Sequence, residues 1–100
     1  MGYDVHITRA QDWIDSERMP IAREEWRALV ESDPEITPDP DNGPDDYLFV
    51  GHPKEPWPLW WHKGEVYTKN PDKHIMKKMI EIAAVLNANV QGDDGERYTD

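Results

Sequence analysis

The stretch 70–90, NPDKHIMKKMIEIAAVLNANV, limits the fold more than any other part of the chain. Ile75, Met79, Ile82 and Leu86 recur at intervals of four, three and four residues, and Met76, Ile80 and Ala83 widen the stripe. Such spacing collects apolar side chains on one face of an α-helix, and a face this broad has to be covered, here by a sheet. Asn70 is expected to cap the helix, Pro71 to occupy its first position and Asp72 to sit at the positive end of the dipole. Asn87 suits the left-handed conformation that stops it.

The strands for that sheet are legible around it. YDVHITR alternates Tyr3, Val5 and Ile7 with Asp4, His6 and Thr8, the period of a strand with one buried face. Trp26, Leu29 and Val30 stand at helical spacing after a start near Ala22, with Glu25 at the third helical position, Ile21 and Trp26 able to form a hydrophobic staple, and Pro34 as the stop. DYLFVGHP reads as a strand ending before Pro53, and ANVQGDDGERY as a last strand through Val90 with a turn at Asp93, Asp94 and Gly95. Residues 31–46, ESDPEITPDPDNGPDD, carry seven acids, four prolines and no base, so they predict a loop, or a small hairpin turning at Asn42-Gly43. The order β-α-β-β-β-α-β implies one α+β domain over residues 1–100. Its mainly antiparallel sheet would have about four to five strands and two helices on one face.

EPWPLWWHKGEVYTKNP places three tryptophans within five positions. With Lys63-Gly64 as a two-residue turn, His62 pairs with Glu65, Trp61 with Val66, Trp60 with Tyr67 and Leu59 with Thr68. Alternation then separates Leu59, Trp61, Val66 and Thr68 from Trp60, His62, Glu65 and Tyr67. The first set is the more apolar and belongs under the helices. Trp26, Trp61, Ile75, Met79, Ile82 and Leu86 are therefore the expected core, and Trp60 and Tyr67 the open face. Trp57, between Pro56 and Pro58, stands at the strand entrance.

Twenty-one acidic residues against eleven basic ones leave a formal net charge of −10. Phosphate neutralisation by Lys and Arg is the main source of nucleic-acid affinity, so this balance argues against nucleic acid and, for the same reason, against an anionic membrane surface. A basic protein partner fits it better. The absence of cysteine removes disulfides, thiolate metal sites and a thiol nucleophile. No apolar run reaches the roughly 20 residues of a membrane span, and the Met-Gly start completes neither a secretion nor a lipidation signal, so a cytoplasmic location is expected.

Catalytic signals are sparse. His6, His52, His62 and His74 have no close ligand spacing, and no metal site or cofactor is expected from them. Asp93 and Asp94 lie in a turn-forming stretch without the ligand alternation of a calcium loop. The chain has neither a phosphate-cradling glycine loop nor a Gly-flanked serine nucleophile. Aromatic anchors beside an acidic segment are instead the chemistry of a protein-binding surface, which would be made of Trp57, Trp60, His62 and Tyr67 with Glu35, Asp39, Asp41, Asp45 and Asp46.

YDVHITRAQDWIDSERMPIAREEW at the start and KNPDKHIMKKMIEIAAVLNANVQGDDGERY at the end resemble a family of small, largely uncharacterised bacterial proteins. These open with YD-x-x-ITRA and close with VQGDDGE-x-Y. Some small acidic bacterial proteins of this kind are immunity proteins, and by that analogy the chain is expected to bind and occlude a cognate toxin domain. Two other readings stand beside it: a small enzyme using His6, His62 and Asp93 or Asp94, and a subunit whose aromatic face closes a homodimer.

Overall fold

A computed structural model describes residues 3–99. Met1, with the Met-Gly start weighed above, and Asp100 lie outside the described residues. Seven strands form one antiparallel sheet: β1 Asp4–Thr8, β2 Ile36–Pro38, β3 Asp46–Phe49, β4 Trp57–His62, β5 Glu65–Lys69, β6 Asn89–Gly92 and β7 Arg97–Tyr98. Their order is β2-β3-β4-β5-β1-β6-β7, so the first strand of the chain becomes a central one. Helices α1, Arg23–Ser32, and α2, Lys73–Val85, contribute to a single apolar core with one face of the sheet. The α+β class, the antiparallel sheet and the two helices agree with the sequence reading.

The sheet is larger than expected. β2 and β7 are three- and two-residue edge strands, too short for alternation to be read, and they form because a neighbour already in place offers unpaired backbone groups. Pro38 is tolerated because β2 is an edge. The acidic stretch thus contains a hairpin, β2–β3, whose connection is longer than Asn42-Gly43 alone.

The β4–β5 hairpin has the expected register, with Trp60 opposite Tyr67, Trp61 opposite Val66 and His62 opposite Glu65. Its turn residues Lys63 and Gly64 have φ of 50° and 85°, the left-handed pair that a two-residue hairpin requires. A side chain at Gly64 would also strike the Ser16 carbonyl oxygen, 2.7 Å from the ideal Cβ position. Trp26, Ile75, Met79, Ile82 and Leu86 are buried as expected. Trp61 is on the helix-facing side but only half-buried. It stands near the end of β4, where its indole N–H donates to the Ile21 carbonyl at 2.9 Å and the core runs out.

Two caps differ in detail from expectation. Asp72, not Asn70, caps α2, accepting from the amides of His74 and Ile75 at 2.9 and 3.1 Å. Asn70 instead adopts φ 46° and accepts the Tyr3 amide at 2.9 Å, which ties the end of β5 to the start of β1. Pro71 therefore precedes the cap. α1 begins after Ala22, and because alanine has no side-chain acceptor only the Glu25 half of a capping box forms, its carboxylate accepting the Ala22 amide at 3.0 Å.

Candidate functional site

The face of the sheet opposite the helices carries one in-register row across six strands: Asp46, Trp60, Tyr67, His6, Gln91 and Arg97. Half of the row is covered. Residues 9–20 leave β1, make a 3-10 turn at Trp13–Asp15 capped by Asp12, and fold back over this face. Thr8 and Ser16 hydroxyls meet at 2.7 Å, and the Gln91 side chain accepts the Trp13 amide at 2.9 Å and donates to the Gln11 carbonyl at 3.0 Å. The Trp13 ring lies on the His6 imidazole with centroids 4.0 Å apart and planes 5° from parallel.

Beneath Trp13, His6 is only 3% exposed. Its Nδ1 meets Glu65, diagonally placed on β5 two residues from its register partner Tyr67, and its Nε2 lies 2.8 Å from Asp93 in the β6–β7 turn. Burial alone would lower the imidazole pKa, but hydrogen bonds and charge from Glu65 and Asp93 outweigh it and raise the value. Burial likewise opposes ionisation of Asp93, yet His6 and the Asp4 amide hold its carboxyl below the usual range. His6 is therefore an imidazolium between two carboxylates, joining β1, β5 and the last turn. Both ring nitrogens are occupied, so the group braces the sheet and has no nitrogen left to exchange a proton with a substrate.

The other half of the row is open. Trp60 and Tyr67 are half-exposed, with ring centroids 5.3 Å apart. Partial burial raises the Tyr67 pKa, and the charges of Asp4, Asp46 and Glu65 add to it, while Lys69 opposes them. His62 is exposed beside them. A cavity of about 200 Å³ opens between this strip and the Trp13 wall, lined by Asp4, His6, Trp13, His62, Glu65 and Tyr67.

The structure thus brings Trp60, His62, Tyr67 and Asp46 together and places the other expected contact residues elsewhere. Trp57 lies on the helix-facing side, its indole N–H donating to Thr68 Oγ1 at 3.0 Å. Asp39 is nearly buried and holds the β2–β3 connection, accepting from the Asp41 amide and the Asn42 side chain at 3.0 and 2.7 Å. Asp45 pairs with Arg23 at 2.6 Å, and Glu35 with Lys78 at 2.8 Å. Asp46 accepts the Gly43 amide at 2.9 Å, and Asp41 is exposed. Of the residues named for a small enzyme, His6 and Asp93 are in contact, whereas Asp94 stands out on the turn. Trp13 and Glu65 were not singled out as functional, although the pairing of Glu65 with His62 already placed it on this face.

Among the described residues, His52, Asp72 and His74 also bring three ligand-type atoms within 4.8 Å of one another. His52 Nδ1 accepts the amides of Lys54 and Glu55 at 3.0 and 3.3 Å, so the ring proton sits on Nε2, which donates to Asp72 at 2.6 Å. A protonated Nε2 has no lone pair for a metal, and the arrangement serves to fix the loop before β4 against the cap of α2.

No helix among the described residues is long and apolar enough to cross a membrane. No protein-family model, curated protein or solved structure matches the chain.

Proposed function

We propose that the chain is a binding protein for a basic protein partner, and that it acts as a cytoplasmic immunity or inhibitor protein occluding a cognate toxin domain. The observation that carries the reading is the open strip of the sheet, where half-exposed Trp60 and Tyr67 lie between Asp46 and Asp4. Aromatic side chains left partly in water and surrounded by carboxylates gain most when a cationic surface covers them. Co-purification with the product of the adjacent gene tests the reading, and a chain that captures no partner there counts against it.

Trp60→Ala is expected to leave the thermal midpoint within a few degrees of the parent, since a surface cross-strand pair contributes at most about 1 kcal/mol. Partner affinity is expected to fall by about 2 kcal/mol, roughly thirtyfold. Calorimetry and an unfolding curve on the same variant decide the matter: lost stability with retained affinity assigns Trp60 to the fold.

Steering rests on fewer acids than the sequence suggests, because Glu35, Asp39 and Asp45 already serve internal contacts. Asp41→Asn combined with Asp46→Asn keeps one acceptor oxygen at each position, as the Gly43 amide requires of residue 46, and removes two charges. Association should slow and lose salt dependence, with dissociation changed less. Stopped-flow mixing at low salt checks this, and an unchanged on-rate removes the steering role.

The contact of His6 with Asp93 favours a second reading, a small enzyme using His6, His62 and Asp93. The full occupation of both imidazole nitrogens and the stacking of Trp13 over the ring weigh against it.

A further inference from the structure

The cavity beside Trp13 has walls and a rim of different chemistry. Trp13, one face of which lies on His6, and Tyr67 supply aromatic walls, and His62 lines the cavity beside the β4–β5 turn. The rim is acidic: Asp4 and Glu65 both line it, and Glu65 uses Oε1 to hold His6. The nearby positive charges are already matched. His6 is neutralised by Glu65 and Asp93 and covered by Trp13, while Lys69 reaches Asp4 at 3.3 Å from a largely exposed position. Asp46, one place along the row beyond Trp60, adds a further negative charge.

We propose that this cavity is a receptor for an arginine side chain, supplied by the basic partner, whose guanidinium stacks against Trp13 and Tyr67 and donates to Asp4 and Glu65. The proposal rests on the binding reading above and names the contact within it. Arginine fits better than lysine because its planar, weakly hydrated cation can lie against a ring while its edge N–H groups reach carboxylates in the same plane. A neutral side chain would displace water from carboxylates that outnumber His6 and Lys69 and would bring no charge to offset that, so charge is what the site selects.

Titration with Nα-acetyl-arginine amide, followed by NMR of the Trp13 indole N–H and the Tyr67 ring, tests the site directly. Saturable shifts at Trp13, Tyr67 and His62 that weaken with salt, with no such shifts from the neutral isostere Nα-acetyl-citrulline amide, support the proposal. Equal shifts from both probes, or none from the arginine probe, overturn it. Asp4→Asn and Tyr67→Leu should each weaken the arginine probe by about two- to fivefold. Asp4→Asn preserves packing and keeps the test decisive if Tyr67→Leu unfolds, and an unchanged probe affinity in a folded Asp4→Asn protein counts against the site. A partner that binds while the probe does not removes the arginine site and leaves the binding function standing. A probe that binds while no partner is captured does the reverse.

Discussion

Trp26→Ala is expected to lower the unfolding free energy by about 3–5 kcal/mol, the range for removing a large aromatic side chain from a packed core. Trp26 is fully buried on α1, meets Tyr47 edge-on with centroids 5.7 Å apart, and donates its indole N–H to the Asp45 carbonyl at 3.3 Å. Its loss leaves a cavity between α1 and the β3–β4 end of the sheet, and the Asp45 carbonyl keeps only the Trp61 amide as donor. Against a total of about 5–15 kcal/mol for a domain of this kind, the variant should unfold at far lower denaturant or populate the unfolded state outright. Urea titration monitored by circular dichroism measures it, and a change below about 1 kcal/mol would contradict the burial of Trp26. Trp61→Ala should cost less, because that residue is only partly buried at the margin of the core.

The second large effect concerns the charged brace beneath Trp13. His6→Ala leaves Glu65 and Asp93 facing each other without the cation between them, and breaking a buried ion pair from one side typically costs about 3–5 kcal/mol. Asp93 is one-third exposed and screened by water, which puts the expectation near the lower end, at about 3 kcal/mol.

The pH dependence distinguishes this from simple loss of packing. The folded pKa of His6 is raised, so the folded state holds its proton more tightly than the unfolded chain does. That stabilisation is complete below the unfolded value of about 6.5 and is lost as the pH rises through the folded value. Asp93 works in the opposite sense: its folded pKa is lowered, so its contribution is present above the ordinary carboxylate range and is lost as the pH falls through the folded value. Parent stability should therefore decline on both sides of a plateau. His6→Ala should lack the alkaline decline and recover somewhat in mild acid, where one of the two facing carboxyls takes up a proton. Thermal midpoints of both proteins from acid to mildly alkaline pH give the comparison. An alkaline decline of equal size in the variant would show that His6 does not carry the charge.

Several parts of this protein were determined by local chemistry and could be read without a fold. The stripe of Ile75, Met79, Ile82 and Leu86 needs only the helical period to declare its buried face. The register of β4 and β5 follows from Lys63-Gly64, because a two-residue turn with both φ positive leaves one way to pair the flanking residues, and alternation then sends Trp60 and Tyr67 to the open side. Asn87 ends α2 in the left-handed conformation that its short amide side chain tolerates.

Tertiary structure alone decided the rest, since the groups involved are far apart in the chain. His6 meets Glu65 and Asp93 across 59 and 87 positions, and Lys78 meets Glu35 across 43, separations over which no periodicity operates. Asn70 left the capping role to Asp72 because β1 presented the Tyr3 amide to it, and β2 and β7 became strands because a sheet edge was there to pair with. The acids of residues 31–46 show the same limit. Their charge is visible in the sequence, but which carboxylates remain for a partner depends on where Arg23, Lys78 and the loop amides come to lie. Trp13 completes the contrast: one tryptophan in a polar stretch without periodicity carries no local signal, and it becomes the wall of a cavity because the chain after β1 folds back over the imidazole of His6.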